Sequence, residues 1–379
     1  MKKICLLFML FIPILVHAED INLAENAKSA IMIEASTGEI LYSKNPNEKL
    51  APASMTKIMS LILIMENIEN GNLKWTDNVV TSENAAGMGG SQIFLKTGEV
   101  MKVEDLIKAI CVASANDAVV AMAEKIAGTE DAFVKLMNDK ARELGAKNTS
   151  FKNSTGLDIE GHYSTAYDMS LMAKELIRHE KILEFSSIYE DYLRKDTANS
   201  FWLVNTNKLV RYYDYIDGLK TGFTDNAGYC LTATGKKNGM RLITVVMKED
   251  NTNNRTKDTI AMMEYGFNMY SVNNIVSKEK VIGNINVNLG VKENVEIIPM
   301  EDVNVVNNKQ NGSKEVNYKI ETNNINAPVK NGDIVGKLDI YEDGKYLKSV
   351  NITVKEDIPK ANIFLVFIRN LRDILIGTK

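Results

Sequence analysis

Ala51-Pro52-Ala53-Ser54-Met55-Thr56-Lys57 runs straight into Ile58-Met59-Ser60-Leu61-Ile62-Leu63-Ile64-Met65, and the reading of this stretch decides the fold. From Ile58 to Met65 only Ser60 is polar, so the segment reads as a helix buried on every side. Pro52 suits a first helical turn, where its missing N–H leaves nothing unpaired. Ser54 and Lys57 stand at i and i+3 and share a face. A serine there lies near free backbone N–H groups and the positive end of the helix dipole, which favour a developing anion. A lysine removed from water holds its proton less tightly and can serve as a base. One helical turn would thus offer nucleophile, base and anion-stabilising amides together.

The S-x-x-K spacing is weak by itself, since Ser277-Lys278-Glu279-Lys280 repeats it in a polar stretch with no buried helix behind it. Two further patterns follow Ser54 and Lys57 in order: Ser114-x-Asn116, and Lys220-Thr221-Gly222. Each has an imitator, Ser271-Val272-Asn273 and Lys96-Thr97-Gly98, and context separates them. Ser114 sits at a Ser-Ala-Asn-Asp break within an apolar helical region from Val103 to Ile126. Lys220 precedes a hairpin, where a glycine lets a substrate approach an edge strand. The imitator at Lys96 comes before the second pattern and breaks the order.

Outward from these motifs, Ser29 to Ala35 and Ile40 to Ser43 form a hairpin about a turn at Ser36-Thr37-Gly38-Glu39. Helices are expected at Phe133 to Leu144 and Ser164 to His179. Strand patterns resume near residue 200: Tyr215 to Thr224, Gly228 to Thr234, and Leu242 to Met247 after a turn at Lys237-Asn238-Gly239. A helix from about Thr256 to Met269 follows. Strands at both ends with helices between predict an α/β (α+β) domain, one sheet closed by the chain ends with an inserted helical subdomain. The glycine-rich Gly87-Met88-Gly89-Gly90-Ser91-Gln92 lacks the G-K-[ST] ending and preceding strand of a phosphate loop.

The chain has 379 residues, enough for about two domains, and a mixed charge with a formal net of −4. A basic nucleic-acid footprint is absent. Lys2 and Lys3, an apolar core from Ile4 to Val16, and Val16-His17-Ala18 read as a signal peptide over 1–18, with the mature start at Glu19. The catalytic domain is expected over 19–276. From Ser277 the composition turns to Val, Ile and Asn with turns at Asn311-Gly312, Asn331-Gly332 and Asp343-Gly344, a small all-β, sandwich-like domain over 277–357. The remaining 358–379 carries Ile363 to Ile376, an amphipathic helix suited to a membrane interface and too short to span a bilayer. Cys111 and Cys230 are expected as buried thiols, and in the expected mature chain His162 and His179 without a Cys/His cluster make zinc improbable. No cofactor or metal is expected.

The ordered set resembles the serine penicillin-recognising enzymes, which share S-x-x-K and K-T-G patterns. Pro52 to Met59, Gly90-Ser91 through Gly98-Glu99, Ser114 to Ala118, Gly161-His162-Tyr163-Ser164-Thr165-Ala166 and Gly218 to Cys230 are similar to the low-molecular-mass D-alanyl-D-alanine carboxypeptidases, peptidase family S11. The resemblance covers nearly the whole chain, with Ala115 standing where many members carry Gly. It implies that Ser54 attacks the carbonyl between the two D-alanines of a peptidoglycan stem peptide and is acylated, that Lys57 takes its proton, and that Ser114, held with Asn116, relays a proton to the leaving D-alanine. Lys220 and Thr221 would bind the substrate carboxylate, Gly222 would keep the strand edge open, and the N–H groups of Ser54 and Phe223 would form the oxyanion hole. Arg255 is a second carboxylate contact or a surface arginine. The implied partners are stem peptides ending in D-Ala-D-Ala, β-lactam antibiotics that acylate Ser54, and a membrane surface. The implied place is the outer face of the cytoplasmic membrane, beside the wall.

Rival readings ask for other residues. A class A β-lactamase needs a glutamate that activates the deacylating water, and the nearest match, Glu190-Asp191-Tyr192-Leu193-Arg194, lacks the Asn of Glu-x-x-Leu-Asn. A Ser-His-Asp hydrolase needs His162 as base, yet no G-x-S-x-G elbow surrounds a serine. A penicillin-binding protein without turnover would be expected to have lost one of Ser54, Lys57, Ser114 or Lys220.

Overall fold

The structure, a computed structural model, describes residues 21–312 and 315–376. The signal peptide expected over 1–18 lies outside the described residues.

Five strands make the central antiparallel sheet: β1 (Ser29–Glu34), β2 (Ile40–Lys44), β3 (Ile216–Thr224), β4 (Gly228–Lys237) and β5 (Met240–Glu249), in the order β2-β1-β5-β4-β3. The first and last parts of the domain thus meet in one sheet, with β1 paired to β5 from Ser29↔Met247 to Glu34↔Leu242. Apolar side chains alternate across both faces. Ile31, Ile33, Ile243 and Val245 join the core shared with the helical subdomain. Ala30, Met32, Leu242 and Val246 pack instead with Met262, Met263 and Phe267 of the helix Thr252–Met269, called α6 below.

The inserted subdomain holds α1 (Lys57–Glu69), α2 (Val103–Ala113), α3 (Asn116–Ala127), α4 (Glu130–Glu143) and α5 (Ala166–Leu176). As expected, α1 is buried all round, from Lys57 to Met65. The expected start of its helix shifts: Pro52 caps a short 3-10 turn, Ala53–Thr56, and the α-helix proper begins at Lys57. The region from Val103 to Ile126 is two helices, because Ser114 adopts a left-handed conformation (φ 62°, ψ 33°). The helical middle also contains two small ribbons, Asn78–Val80 with Val100–Lys102 and Glu190–Leu193 with Phe201–Val204. Strands of three or four residues are too short for an alternating pattern to register.

The second unit is all-β. A strand Tyr270–Val276 pairs with Val303–Asn308, so the expected break at 276/277 falls one strand late. That strand follows α6 without a turn signal, and the composition changes only after it. Six more strands, in the order Val316–Thr322, Gly336–Glu342, Lys345–Val354, Asn294–Pro299, Gly283–Asn288 and Ile325–Asn326, complete a sandwich about a Val/Ile core. Asp343 and Gly344 both take positive φ, the tight hairpin turn their sequence predicts. The last helix, α7 (Ile363–Ile376), has Ile363, Phe364, Phe367, Ile368, Leu371, Ile374 and Leu375 exposed. Its Arg369 donates to the carbonyls of Gly290 and Val291, and Arg372 to Glu293. Among the described residues no helix is long and apolar enough to cross a membrane.

Candidate active site

Ser54 is partly exposed on its 3-10 turn, and Lys57 behind it is fully buried. Lys57 Nζ lies 2.9 Å from Ser54 Oγ and donates to the Thr155 carbonyl at 2.7 Å. One turn further along α1, Ser60 Oγ donates to the Ser154 carbonyl at 2.7 Å. The loop Asn153-Ser154-Thr155-Gly156 is therefore laid along α1. At Gly156 (φ +87°) a Cβ would stand 1.8 Å from the Ala53 carbonyl oxygen, so only glycine fits against the serine turn. Thr155 and Gly156 went unnoticed in the sequence, where Ser154-Thr155-Gly156 reads as an ordinary loop.

Ser114 lies at the break between α2 and α3, and its left-handed backbone lifts it out of both helices. Asn116 donates through Nδ2 to the Gly89 carbonyl (2.7 Å), and its backbone N–H donates to the Ser91 carbonyl (2.7 Å). The adjacent Asp117, fully buried, accepts from the N–H groups of Ile93 and Leu95. The glycine-rich loop is thus pinned at the start of α3, a positioning role for Asp117 that the motif reading passed over.

Lys220, Thr221, Gly222 and Phe223 lie on β3, an edge strand of the sheet, with Lys220 and Thr221 buried. Thr221 Oγ1 donates to Thr206 Oγ1 (2.8 Å), and the Thr206 N–H donates to the Val112 carbonyl in the last turn of α2. Gly222 also has a packing reason. A Cβ there would meet the Pro52 carbonyl oxygen at 2.7 Å and Met55 N at 3.3 Å, so the glycine lets β3 press against the Ser54 turn. These contacts bring all three motifs to one place. Phe223 turns its ring outward, half exposed, 4.4 Å from the ring of Tyr229. Arg255, on the first turn of α6, is partly buried: its Nε is buried without a hydrogen-bond partner among the described residues, and its guanidinium lies 6.0 Å from the Tyr229 ring centre.

The electrostatics divide the two lysines. Burial, and secondarily Lys220, hold Lys57 well below the ordinary 10.5 of an amine, while Asp117 opposes them. Burial pushes Lys220 down to about 7, and Arg255 adds to the effect. Removing the proton from an ordinary lysine at pH 7 costs about 5 kcal/mol. Burying an apolar side chain contributes about 1.5–3 kcal/mol, so a few of the neighbours along α1 offset a neutral Lys57. Ser114 Oγ, Asn116 Oδ1 and Arg255 Nε are all buried with no hydrogen-bond partner among the described residues. Two of these open atoms belong to the Ser114-x-Asn116 motif and the third to Arg255, groups that a ligand could satisfy.

The rival residues lie elsewhere in the chemistry. His162 Nδ1 accepts from the Lys152 N–H, so its proton sits on Nε2, which lies 2.8 Å from Thr56 Oγ1. Burial lowers its pKa to about 4, and it braces the serine turn as a neutral ring. Glu190 is exposed at the start of a ribbon, and Arg194 is tied to Glu99. Cys111 and Cys230 are buried free thiols, as expected, with burial raising them to about 12 and about 11. A cavity of about 600 Å³ opens beside the serine turn at Lys49, Ala51, Asp158, His162, Tyr163 and Lys248, and Ser54 does not line it.

Residues 16–251 match the family described as D-alanyl-D-alanine carboxypeptidase, peptidase S11, and residues 270–360 match the C-terminal domain of penicillin-binding protein 5. The chain is 48% identical over 349 residues to D-alanyl-D-alanine carboxypeptidase DacF of Bacillus subtilis, covering 92% of this chain and 90% of that one. Penicillin-binding protein 5 from Haemophilus influenzae superposes with a TM-score of 0.72 at 30% identity, over 88% of this chain and 98% of that one. Penicillin-binding protein D2 from Listeria monocytogenes in its ampicillin-bound form superposes with a TM-score of 0.57 at 33% identity, over 64% of this chain and 98% of that one.

Proposed function

The chain belongs to the peptidase S11 family of D-alanyl-D-alanine carboxypeptidases, and from that premise we propose that it removes the terminal D-alanine of peptidoglycan stem peptides through an acyl-enzyme on Ser54. The observation that carries the reading is the 2.9 Å approach of a buried Lys57 amine to the Ser54 hydroxyl. A neutral amine has a lone pair, so across this distance the hydroxyl can give up its proton as Oγ attacks the D-alanyl carbonyl. The tetrahedral oxyanion is held by the N–H groups of Ser54 and of Phe223 on the edge strand. Its collapse breaks the C–N bond. The proton then passes through Ser114 to the departing D-alanine nitrogen, with Asn116 holding the peptide beside it. Water repeats the attack on the ester, Lys57 takes the water's proton, and the shortened peptide leaves with Ser54 restored.

Lys220, Thr221 and Arg255 hold the substrate's C-terminal carboxylate. Two cationic side chains, Lys220 on β3 and Arg255 on α6, need an anion, and the carboxylate supplies it. Gly222 keeps this strand close to the nucleophile. A penicillin presents an amide and a carboxylate in the same arrangement and acylates the same serine, as fits a chain similar to penicillin-binding proteins. The substrate places the enzyme outside the cytoplasm. The finer address, the outer membrane face, rests on α7, whose two arginines dock against the β unit while its apolar side chains stand exposed. In domain terms the reading is a signal peptide, a transpeptidase-like catalytic domain, a β pedestal and an amphipathic anchor.

Trapping with penicillin followed by peptide mass mapping tests the assignment. The adduct is expected on the peptide carrying Ser54. An adduct on any other serine would refute the site.

A further inference from the structure

At the far end of α1 from Ser54, three helix ends meet around His179. Glu66 and Glu69 close α1, Glu175 lies in the last turn of α5, and His179 follows that helix directly. Lys140 reaches in from the last turn of α4. With Asn70 and Arg178 these residues line a cavity of about 460 Å³. One nitrogen of His179 and one oxygen each of Glu66 and Glu175 lie within 4.8 Å of one another.

His179 points to what the cavity holds. The ring is only 6% exposed. Its Nδ1 lies 2.7 Å from Glu69 Oε1, and its Nε2 is buried with no hydrogen-bond partner among the described residues. A carboxylate on one ring nitrogen fixes the proton there and turns the other lone pair free, the arrangement that orients a metal-binding histidine. The C-terminal ends of helices carry partial negative charge, and glutamates placed there are unfavourable unless a cation joins them. Lys140 supplies one such cation, 2.5 Å from Glu66.

We propose that Glu66, Glu175 and His179 form a divalent metal site, that Glu69 orients the histidine, and that zinc is the metal. One imidazole with carboxylates suits zinc, with water filling the fourth position. Tetrahedral zinc draws its ligand atoms to about 3.3 Å apart, so the side chains close by about 1 Å. Lys140 then swings to Glu143, its second partner at 2.7 Å. The metal ties α1 to α5 about 14 Å along the helix from Lys57, a brace and not a participant in catalysis. The sequence reading discounted zinc for want of a Cys/His cluster. Carboxylate ligands on two separate helices leave no such spacing to find.

The full chain, without a histidine tag, is titrated with zinc by calorimetry and with cobalt by visible absorption. One zinc per chain is expected, with a zinc-dependent rise in Tm. His179→Gln and Glu175→Gln each abolish both effects and the cobalt spectrum, Glu69→Gln weakens binding about 10–100-fold, and Lys140→Gln tightens it. Penicillin acylation of Ser54 stays unchanged in all four. Zinc binding that persists at equal affinity in both His179→Gln and Glu175→Gln, or no binding by the wild-type chain, overturns the proposal.

Discussion

Lys57 and Lys220 are both buried lysines, yet the proposed reaction needs the first neutral and the second charged. Burial holds both well below an ordinary amine, and Lys57 is lowered further by Lys220. Lys220, pushed down to about 7, is about half protonated in neutral solution and gains further hold on its proton when a carboxylate binds. The expected kcat/KM profile is bell-shaped. It rises as Lys57 deprotonates and falls above about pH 7 as Lys220 loses its charge, while the fall in kcat comes at higher pH because the bound carboxylate raises Lys220. Lys220→Arg, which stays charged, is expected to remove the alkaline fall even if activity drops; steady-state kinetics across pH check this. Lys57→Arg keeps charge and bulk but cannot give up a proton, and should lower the acylation rate by about 10²–10⁴, measured by stopped-flow with a chromogenic β-lactam. The spacing of Ser54 and Lys57 announced this chemistry in the sequence. Thr155 did not announce itself, because a backbone carbonyl carries no residue-type signal.

Elements, not single side chains, bring the three motifs together. The edge strand β3 touches the serine turn at Gly222, and Thr206 links that strand to the end of α2. The loop 153–156 closes the other side of the turn. Gly156→Ala is expected to displace this loop or the turn itself, since the added carbon has no room against Ala53 and the positive φ is strained as well. The variant should lose most of its penicillin acylation while its far-UV circular dichroism is retained. Periodicity revealed the buried helix and the sheet hairpins, and it read Val103 to Ile126 as continuously helical where Ser114 splits it in two. It missed the short ribbons and placed the β unit one strand late, because Tyr270–Val276 continues directly from α6 and only its pairing with Val303–Asn308 assigns it. Gly222 was visible as a glycine in the right motif, but its reason, contact with Pro52 and Met55, needs the fold.

Across the whole molecule, an enzyme domain stands on a β unit that ends in α7. The arginines of α7 are engaged by Gly290, Val291 and Glu293, so its membrane attraction is expected to come from apolar side chains. Vesicle partition should fall about tenfold or more for Phe364→Asp or Leu375→Asp and change little with salt, while hydrolysis of a soluble peptide is unaffected. Sedimentation with liposomes at two salt concentrations reads this out. The amphipathic pattern of α7 was legible in the sequence; the side turned to the protein was not, since Arg369 and Arg372 serve equally for lipid phosphate or for Glu293. The most direct test of the whole account is D-alanine release from a synthetic pentapeptide ending in D-Ala-D-Ala, with Ser54→Ala beside it. The expected result is steady release by the wild-type chain and none by the variant. Release that survives in Ser54→Ala, or a wild-type chain that hydrolyses penicillin rapidly and leaves the pentapeptide intact, would contradict it.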